Sequence, residues 1–297
     1  MRRGKSNEKG VEPLERPERE VNFMPELPEV ETIRQDLEKE LPGFLIDSVQ
    51  TTFLPMVKPT LTTVREGIVG KTIKDFKRKG KLLIVNFRNS TKHLLFHLKM
   101  TGRLLVRDEK HKQDPFTRVI LKLSRNGKSR ELRFTDVRKF GFVKVAGEEE
   151  LKKILAAMGP EPLDDLNLEG FKKILQKSRR PVKVVLMDQG LISGVGNIYA
   201  NEALFLAKIH PRTQSDKIAV EKVENLYFVL IKVLKEGIKY RGASDNTYRD
   251  AHGEKGHFQE HFKVYGRKGE KCLVCGEQIK RIELGQRGTF FCPRCQK

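Results

Sequence analysis

Met24-Pro25-Glu26-Leu27-Pro28-Glu29-Val30-Glu31 puts a proline directly after a methionine and two carboxylates within four residues of it. If translation begins at Met24 and the methionine is removed, Pro25 becomes an amino-terminal secondary amine. An α-amino group ionises at about pKa 8, so a useful fraction is unprotonated and nucleophilic at physiological pH. Such an amine can attack an aldehyde carbon and form a Schiff base. Because a secondary amine gives an iminium with a permanent positive charge, it is a strong electron sink for breaking bonds β to that carbon. The same nitrogen inside a peptide bond has its lone pair tied up in amide resonance. The plainer reading of the octapeptide is a helix start, with Pro28 at the first helical position. Val30, Ile33, Leu37 and Leu41 then form an apolar stripe that stops at Pro42-Gly43. The helix fits either reading, and the rest of the chain decides between them.

The sequence begins 23 residues before Pro25's methionine. Those residues carry mixed charges, two prolines and no apolar core segment, so they form neither a signal peptide nor a membrane anchor. A disordered basic arm, a linker and sequence upstream of the true start are the options. The last is the expectation, with 1–23 an extension absent from the mature protein.

A chain of 297 residues is long enough for two domains. Fifty-nine Lys and Arg against thirty-nine Asp and Glu leave a formal net charge of +20. An excess of that size points to a polyanionic partner, since each neutralised phosphate releases counterions. A membrane surface is disfavoured, because the sequence has no basic interfacial helix and no apolar run of spanning length. All four cysteines fall in the last 26 residues, none is left over, and nothing marks the chain for secretion. The expected compartment is the cytosol.

After the first helix, short alternating runs at Lys81–Phe87, His93–Leu98, Thr117–Leu123, Glu131–Phe134 and Phe140–Val145 are bounded by turns such as Asn126-Gly127. They predict an antiparallel β-sandwich. The charged segment Val106–Phe116 reads as a mobile hairpin loop. From Glu148 the pattern shifts, and Gly159-Pro160-Glu161-Pro162 reads as a hinge between domains. Helical patterns follow at Leu168–Lys177, Val182–Gln189, Asn197–Leu206 and Ala219–Gly237. Strands followed by a block of helices predict an α+β protein of separate domains: an extension (1–23), a catalytic β-sandwich (24–147), a linker (148–165), a helical domain (166–262) and a cysteine ribbon (263–297).

Cys272-x2-Cys275 and Cys292-x2-Cys295, sixteen residues apart, can set four thiolates at the corners of a tetrahedron. That is the closed arrangement of one structural Zn²⁺, favoured over paired disulfides or a redox motif. With no open coordination position the metal holds a hairpin and does no chemistry. The tip, with Lys280, Arg281, Gln286 and Arg287, is either a phosphate-reaching surface or a solvated turn. Gly194-Val195-Gly196-Asn197 lacks the third glycine and preceding strand of a dinucleotide fingerprint. It fits a tight turn feeding a helix capped by Asn197, whose free amides suit a phosphate or are simply capped; with the helix before it, this makes a helix-two-turns-helix. Lys81, in Lys79-Gly80-Lys81, is either a solvated charge or a site residue. Met100, Arg138 and Phe140, at strand ends, are either core residues or the wedge that fills the void left by an extruded base.

Taken together, Met24–Glu31, Gly80–Leu83, His97–Gly102, Phe134–Gly141, Gly159–Leu163, Val195–Glu202, Tyr265–Gly269 and Gln286–Cys295 resemble bacterial formamidopyrimidine-DNA glycosylase, in order, from Met24 to Lys297. Leu27 and Val30 resemble the branch acting on oxidised purines more than the endonuclease VIII branch. The resemblance implies a bifunctional glycosylase and AP lyase that flips 8-oxoguanine or a formamidopyrimidine out of duplex DNA and cleaves by β,δ-elimination. It implies that Pro25 attacks C1′, Glu26 acts as the acid, Lys81 contacts the lesion and its phosphate, and Glu29 steadies the amino-terminal loop. Met100, Arg138 and Phe140 would fill the gap, Asn197 and Arg287 would hold phosphates, and a monomer would suffice. The segment Arg241–Phe258 departs from the family's glycine-rich capping loop. The competing readings are a lyase for oxidised pyrimidines and, if residues 1–23 are retained, a non-catalytic binder of damaged DNA.

Overall fold

The computed structural model describes residues 24–244 and 247–297. The expected extension, residues 1–23, lies outside the described residues. Helix α1 (Leu27–Glu40) buries Val30, Ile33 and Leu37 along one face. Pro28 lies within its first turn, where a missing N–H costs no helical bond. The helix stops where Pro42 cannot continue it and Gly43 turns the chain at φ +87°.

Strands β1 (Leu45–Thr51), β2 (Val57–Lys58), β3 (Ile73–Lys79), β4 (Leu82–Phe87), β5 (Lys92–His97), β6 (Gly102–Arg107), β7 (Thr117–Arg125), β8 (Lys128–Asp136) and β9 (Phe142–Gly147) form two sheets, with α2 (Leu61–Ile68) inserted after β2. One sheet runs β1-β7-β8-β6 and the other β2-β9-β5-β4-β3. Their inner faces meet through one core that includes Val49, Leu121, Leu132, Phe134, Val85, Leu94, Phe96 and Val143. Phe96 and Phe134 stand edge to face across it at 5.9 Å. The sandwich is antiparallel apart from β2, which pairs in parallel with β9. One sequence expectation is corrected here. The segment expected to loop from Val106 begins as strand, because Val106 is buried and its N–H bonds Ala251 O. Asp114, in the same segment, is gripped by Arg107 and Arg133.

Helix α3 (Glu148–Ala156) covers the outer face of the five-stranded sheet, with Leu151 against Leu82, Ile84 and Leu95. The helical part comprises α4 (Leu168–Gln176), α5 (Val182–Leu186), α6 (Asn197–Leu206) and α7 (Val220–Lys239), followed by the hairpin β10 (Lys280–Leu284) and β11 (Arg287–Phe291). The helix expected to reach Gln189 ends at Leu186. Its next residues are recruited for the turn: Asp188 Oδ1 accepts from Gly190 N, and Gln189 accepts from Gly194 N while donating to Val195 O.

A buried ion network joins the two halves. Arg78 of β3 gives two 2.7 Å bonds to Glu161 of the linker and one of 2.9 Å to Glu31 of α1. Glu161 also accepts from Gly80 N at 2.7 Å. Truncating one partner of a buried pair strands the other charge, at a cost of about 3 kcal/mol or more. Glu161→Gln is therefore expected to lower the urea unfolding midpoint substantially; an unchanged midpoint would show that the clamp holds nothing.

Candidate active site

Two carboxylates one helical turn apart on α1 are buried, and each is bonded across the domain junction. Glu26 Oε1 accepts from Ile198 N of α6 at 2.8 Å, while Oε2 is buried without a hydrogen-bond partner. Glu29 Oε1 accepts from Tyr199 Oη at 2.7 Å and from Ala243 N at 2.8 Å. Its Oε2 accepts from Glu26 N at 2.9 Å. The turn before α6 is shaped around Glu26: a Cβ on Gly196 would fall inside its carboxyl group. Gly194, at φ +92°, gives its carbonyl to Leu27 N and leaves no room for a side chain against Leu27. Pro25, at the same junction, is buried.

Burial shifts these groups in a consistent direction. It pushes the Glu26 carboxyl up to about 7, against the opposing pull of Lys81 and with help from the Glu29 charge. Burial likewise raises Glu29, opposed by its bonds from Ala243 and Tyr199. Lys81 is only 8% exposed, so the solvated-charge reading fails. Its pKa is lowered by desolvation, although Glu26 and Glu29 pull it up. It lies in the turn before β4, one residue earlier than the strand it was expected to open. His97 is driven down to about 3 by burial and by Lys99 and Lys81, and its Nδ1 accepts from Lys99 N. The sequence reading missed Lys183. It is fully buried in α5, bonded to Thr289 Oγ1 at 2.6 Å, and lowered to about 7 by desolvation. Its signal was present, as the one charged residue in Val182-Lys183-Val184-Val185-Leu186.

Among the residues expected to face a partner, Arg138, Phe140 and Arg287 are exposed and Met100 is half-buried. Arg138 lies over the Phe140 ring at 4.9 Å. Phe140 is 55% exposed, which removes it from the core. Arg287 stands close enough to Lys81 and Lys183 to depress both. Asn197 is not the helix cap; that position is Gly196. The Asn197 side chain instead donates to Gly288 O at 3.1 Å, tying α6 to the ribbon. The α6 amide at Ile198 is taken by Glu26, so the simple picture of a phosphate on a free helix terminus is also corrected. In the 241–258 segment, Asp245 and Asn246 lie outside the described residues. Tyr248, bonded to Glu29 O, and Ala251 pack into the sandwich core.

The four cysteine sulfurs lie within 4.8 Å of one another and form no disulfide. Tetrahedral zinc with bonds of about 2.3 Å sets its sulfurs about 3.8 Å apart. Here Cys272 and Cys295 are separated by 3.9 Å, and Cys275 and Cys292 by 3.5 Å. Val274 N and Cys295 N donate to the Cys272 and Cys292 sulfurs, as thiolates require. This set holds one structural Zn²⁺. The ribbon docks on α6 through Asn201 Oδ1, which accepts from Phe290 N. No helix among the described residues is long and apolar enough to cross a membrane.

A two-domain fold with a buried carboxyl of raised pKa beside a buried proline at the domain junction, and a basic ribbon built on four cysteines, defines the class of DNA glycosylases with AP lyase activity. Family models match the formamidopyrimidine-DNA glycosylase N-terminal domain at residues 24–143, the formamidopyrimidine-DNA glycosylase H2TH domain at 158–249, and the zinc finger found in FPG and IleRS at 269–297. A formamidopyrimidine-DNA glycosylase of Bacillus cereus is 40% identical over 278 residues, covering 92% of this chain and 99% of that protein. A Lactococcus lactis FPG mutant, solved in complex with Fapy-dG containing DNA, is 35% identical with a TM-score of 0.85 over 92% of this chain and all of that one. MutM in complex with carbocyclic 8-oxo-G containing DNA is similar at 34% identity and a TM-score of 0.84, again over 92% of this chain and 100% of that one. The chain belongs to the formamidopyrimidine-DNA glycosylase family, and its activity is that of a bifunctional DNA glycosylase and AP lyase removing oxidised purines.

Because Glu26 holds its proton more tightly folded than unfolded, it contributes stability in full below about pH 4.5, and this is lost as the pH rises to about 7. Glu26→Gln is expected to flatten that decline. A variant whose unfolding midpoint keeps the wild-type slope over this range would refute the shift.

Proposed function

We propose that Pro25, as the amino terminus of the mature enzyme, attacks C1′ of an oxidised purine nucleotide extruded from duplex DNA. The new N–C1′ bond forms as the glycosidic bond breaks, and the base leaves with its electron pair and takes up a proton. Glu26, half-protonated near pH 7, delivers a proton to the sugar ring oxygen, and the ring opens to the iminium. Loss of the C2′ proton then expels the 3′ phosphate, and a second elimination expels the 5′ phosphate, leaving a one-nucleotide gap. The observation that carries this reading is the Glu26 carboxyl, lifted to about 7 beside Pro25 and shared between two domains.

Lys81 steadies the lesion and its flanking phosphate, and Glu29 fixes the amino-terminal loop. Met100, Arg138 and Phe140 fill the space the base vacates. Asn197 and Arg287 hold phosphates of the strand, and the bond that Asn197 donates to Gly288 O keeps the ribbon beside α6. A family match that starts at residue 24 supports placing 1–23 outside the mature chain. The partner is double-stranded DNA with oxidised purines or abasic sites. The enzyme works as a monomer in the bacterial cytosol, drawn to the nucleoid by its strongly basic balance, +20 over the full 297 residues. A relative solved with oxidised pyrimidine containing DNA keeps that substrate class as a second reading.

Borohydride trapping on an 8-oxoguanine duplex, run on the chain started at Met24 and on the 297-residue chain, tests the nucleophile. An adduct mapping to Pro25 from the shorter chain alone is expected. No adduct from either, despite binding, would move the protein to the non-catalytic reading. Faster cleavage of a thymine glycol duplex than of the 8-oxoguanine duplex would overturn the purine preference.

DNA affinity is expected to fall steeply with salt, as several phosphate contacts require. It should also fall when zinc is chelated, because the ribbon holding Arg287 loses its fold. Full affinity in the metal-free protein would remove the ribbon from the binding surface.

A further inference from the structure

The loops that carry Met100 and Arg138–Phe140 both cross between the two sheets, one from β5 to β6 and the other from β8 to β9, and one carboxylate holds both. Asp136, at the end of β8, is 1% exposed. Its Oδ1 accepts a hydrogen bond from Thr101 Oγ1, in the turn between β5 and β6. The same oxygen accepts from Arg138 N at 3.1 Å, and Oδ2 accepts from Gly141 N at 2.8 Å. Arg138 N also donates to Thr101 Oγ1 at 3.0 Å, which closes a triangle between the loops.

The surrounding backbone leaves little slack. A Cβ on Gly102 would meet Leu98 O at 2.5 Å, and one on Gly141 would meet Phe134 Cζ at 2.5 Å. Each loop holds one non-glycine residue in the left-handed region, Lys99 at φ 54° and Lys139 at φ 60°. Such conformations are uphill and persist only where surrounding bonds enforce them. The side chains beyond, Arg138 and Phe140, are exposed, so nothing else in the described residues buries this loop tip.

We infer that the Thr101 hydroxyl and the Asp136 carboxylate lock the two loops into one rigid wedge, making Thr101 and Asp136 positioning residues for base extrusion. The inference rests on the wedge role proposed for Met100, Arg138 and Phe140. A wedge fixed before it meets DNA pays no ordering entropy on insertion, whereas two independent loops would each pay it. Neither positioning residue touches the reacting atoms.

The test uses the Met24-started enzyme with its zinc and a duplex bearing a fluorescent base analogue opposite 8-oxoguanine, whose signal rises when the pair is broken. Thr101→Val keeps the side-chain shape and removes the hydroxyl. It is expected to slow the fluorescence rise and single-turnover excision about tenfold, the worth of one buried hydrogen bond. Cleavage of a ready-made abasic site, where no base needs extruding, should slow by much less. Thr101→Ser should restore both rates. Asp136→Asn, which sets an amide N–H₂ or a weaker acceptor against Gly141 N, should act in the same direction more strongly, and thermal melting of both variants shows that they fold. Wild-type extrusion in Thr101→Val, alongside slowed extrusion in Met100→Ala and Phe140→Ala, would overturn the inference. Equal slowing of excision and abasic cleavage would also overturn it, as general loosening. Unaltered extrusion in Met100→Ala and Phe140→Ala would overturn the wedge reading itself.

Discussion

The acid at this site exists only because α1 is held by the other domain. Glu26 and Glu29 take backbone amides from Ile198 and Ala243, so the first turn of α1 is seated on the helical half while its later turns fill the sandwich core. Leu27 belongs to the helical core and Val30 to the sandwich core, three residues apart. A hinge motion that opened the junction would expose both carboxylates to water and return them toward ordinary acidity. The Arg78–Glu161 network guards against that motion from the far side of the same helix, since Glu31 shares Arg78.

Around Glu26 the electrostatics are a contest that burial wins. Lys81 would hold the carboxylate ionised, and the amides of Ile198 and Tyr199 pull the same way, yet desolvation outweighs them. The lysine pays the reciprocal cost, lowered by its own burial and by Lys99 and Arg287. Burial thus moves the acid up and the lysine down, each toward its neutral form. Neither would hold that balance at the surface, where water would restore both.

How much of this could be read from the chain varies with the physics involved. The zinc set was legible because ligand spacing is a local property, and the cysteines meet as their spacing required. Strands β4, β5, β7 and β9 were legible from alternation, whereas β3 was not. Its sequence, Ile-Lys-Asp-Phe-Lys-Arg-Lys, offers only Ile73 and Phe76 to the core, because a bulge after Ile73 shifts the register. Lys81 looked like any lysine in a basic cluster, since its burial belongs to the folded chain: Met158 and the Ser193–Gly194 turn, far off in sequence, close on the adjacent Gly80. The reading of Asn197 as a cap failed for a similar reason: Glu26, from 171 residues earlier, takes the amide at the helix start and frees Asn197 to reach the ribbon.

That separation bears on the order in which the protein is made. The proline end leaves the ribosome first, but its seat at Ile198 is synthesised 172 residues after Glu26. At about 5–20 residues per second the delay is on the order of ten seconds or more. Throughout that interval Glu26 is solvated and behaves as an ordinary carboxylate. The buried carboxyl therefore forms only once α6 has been made, and a chain that stops short of α6 lacks it whatever its amino terminus.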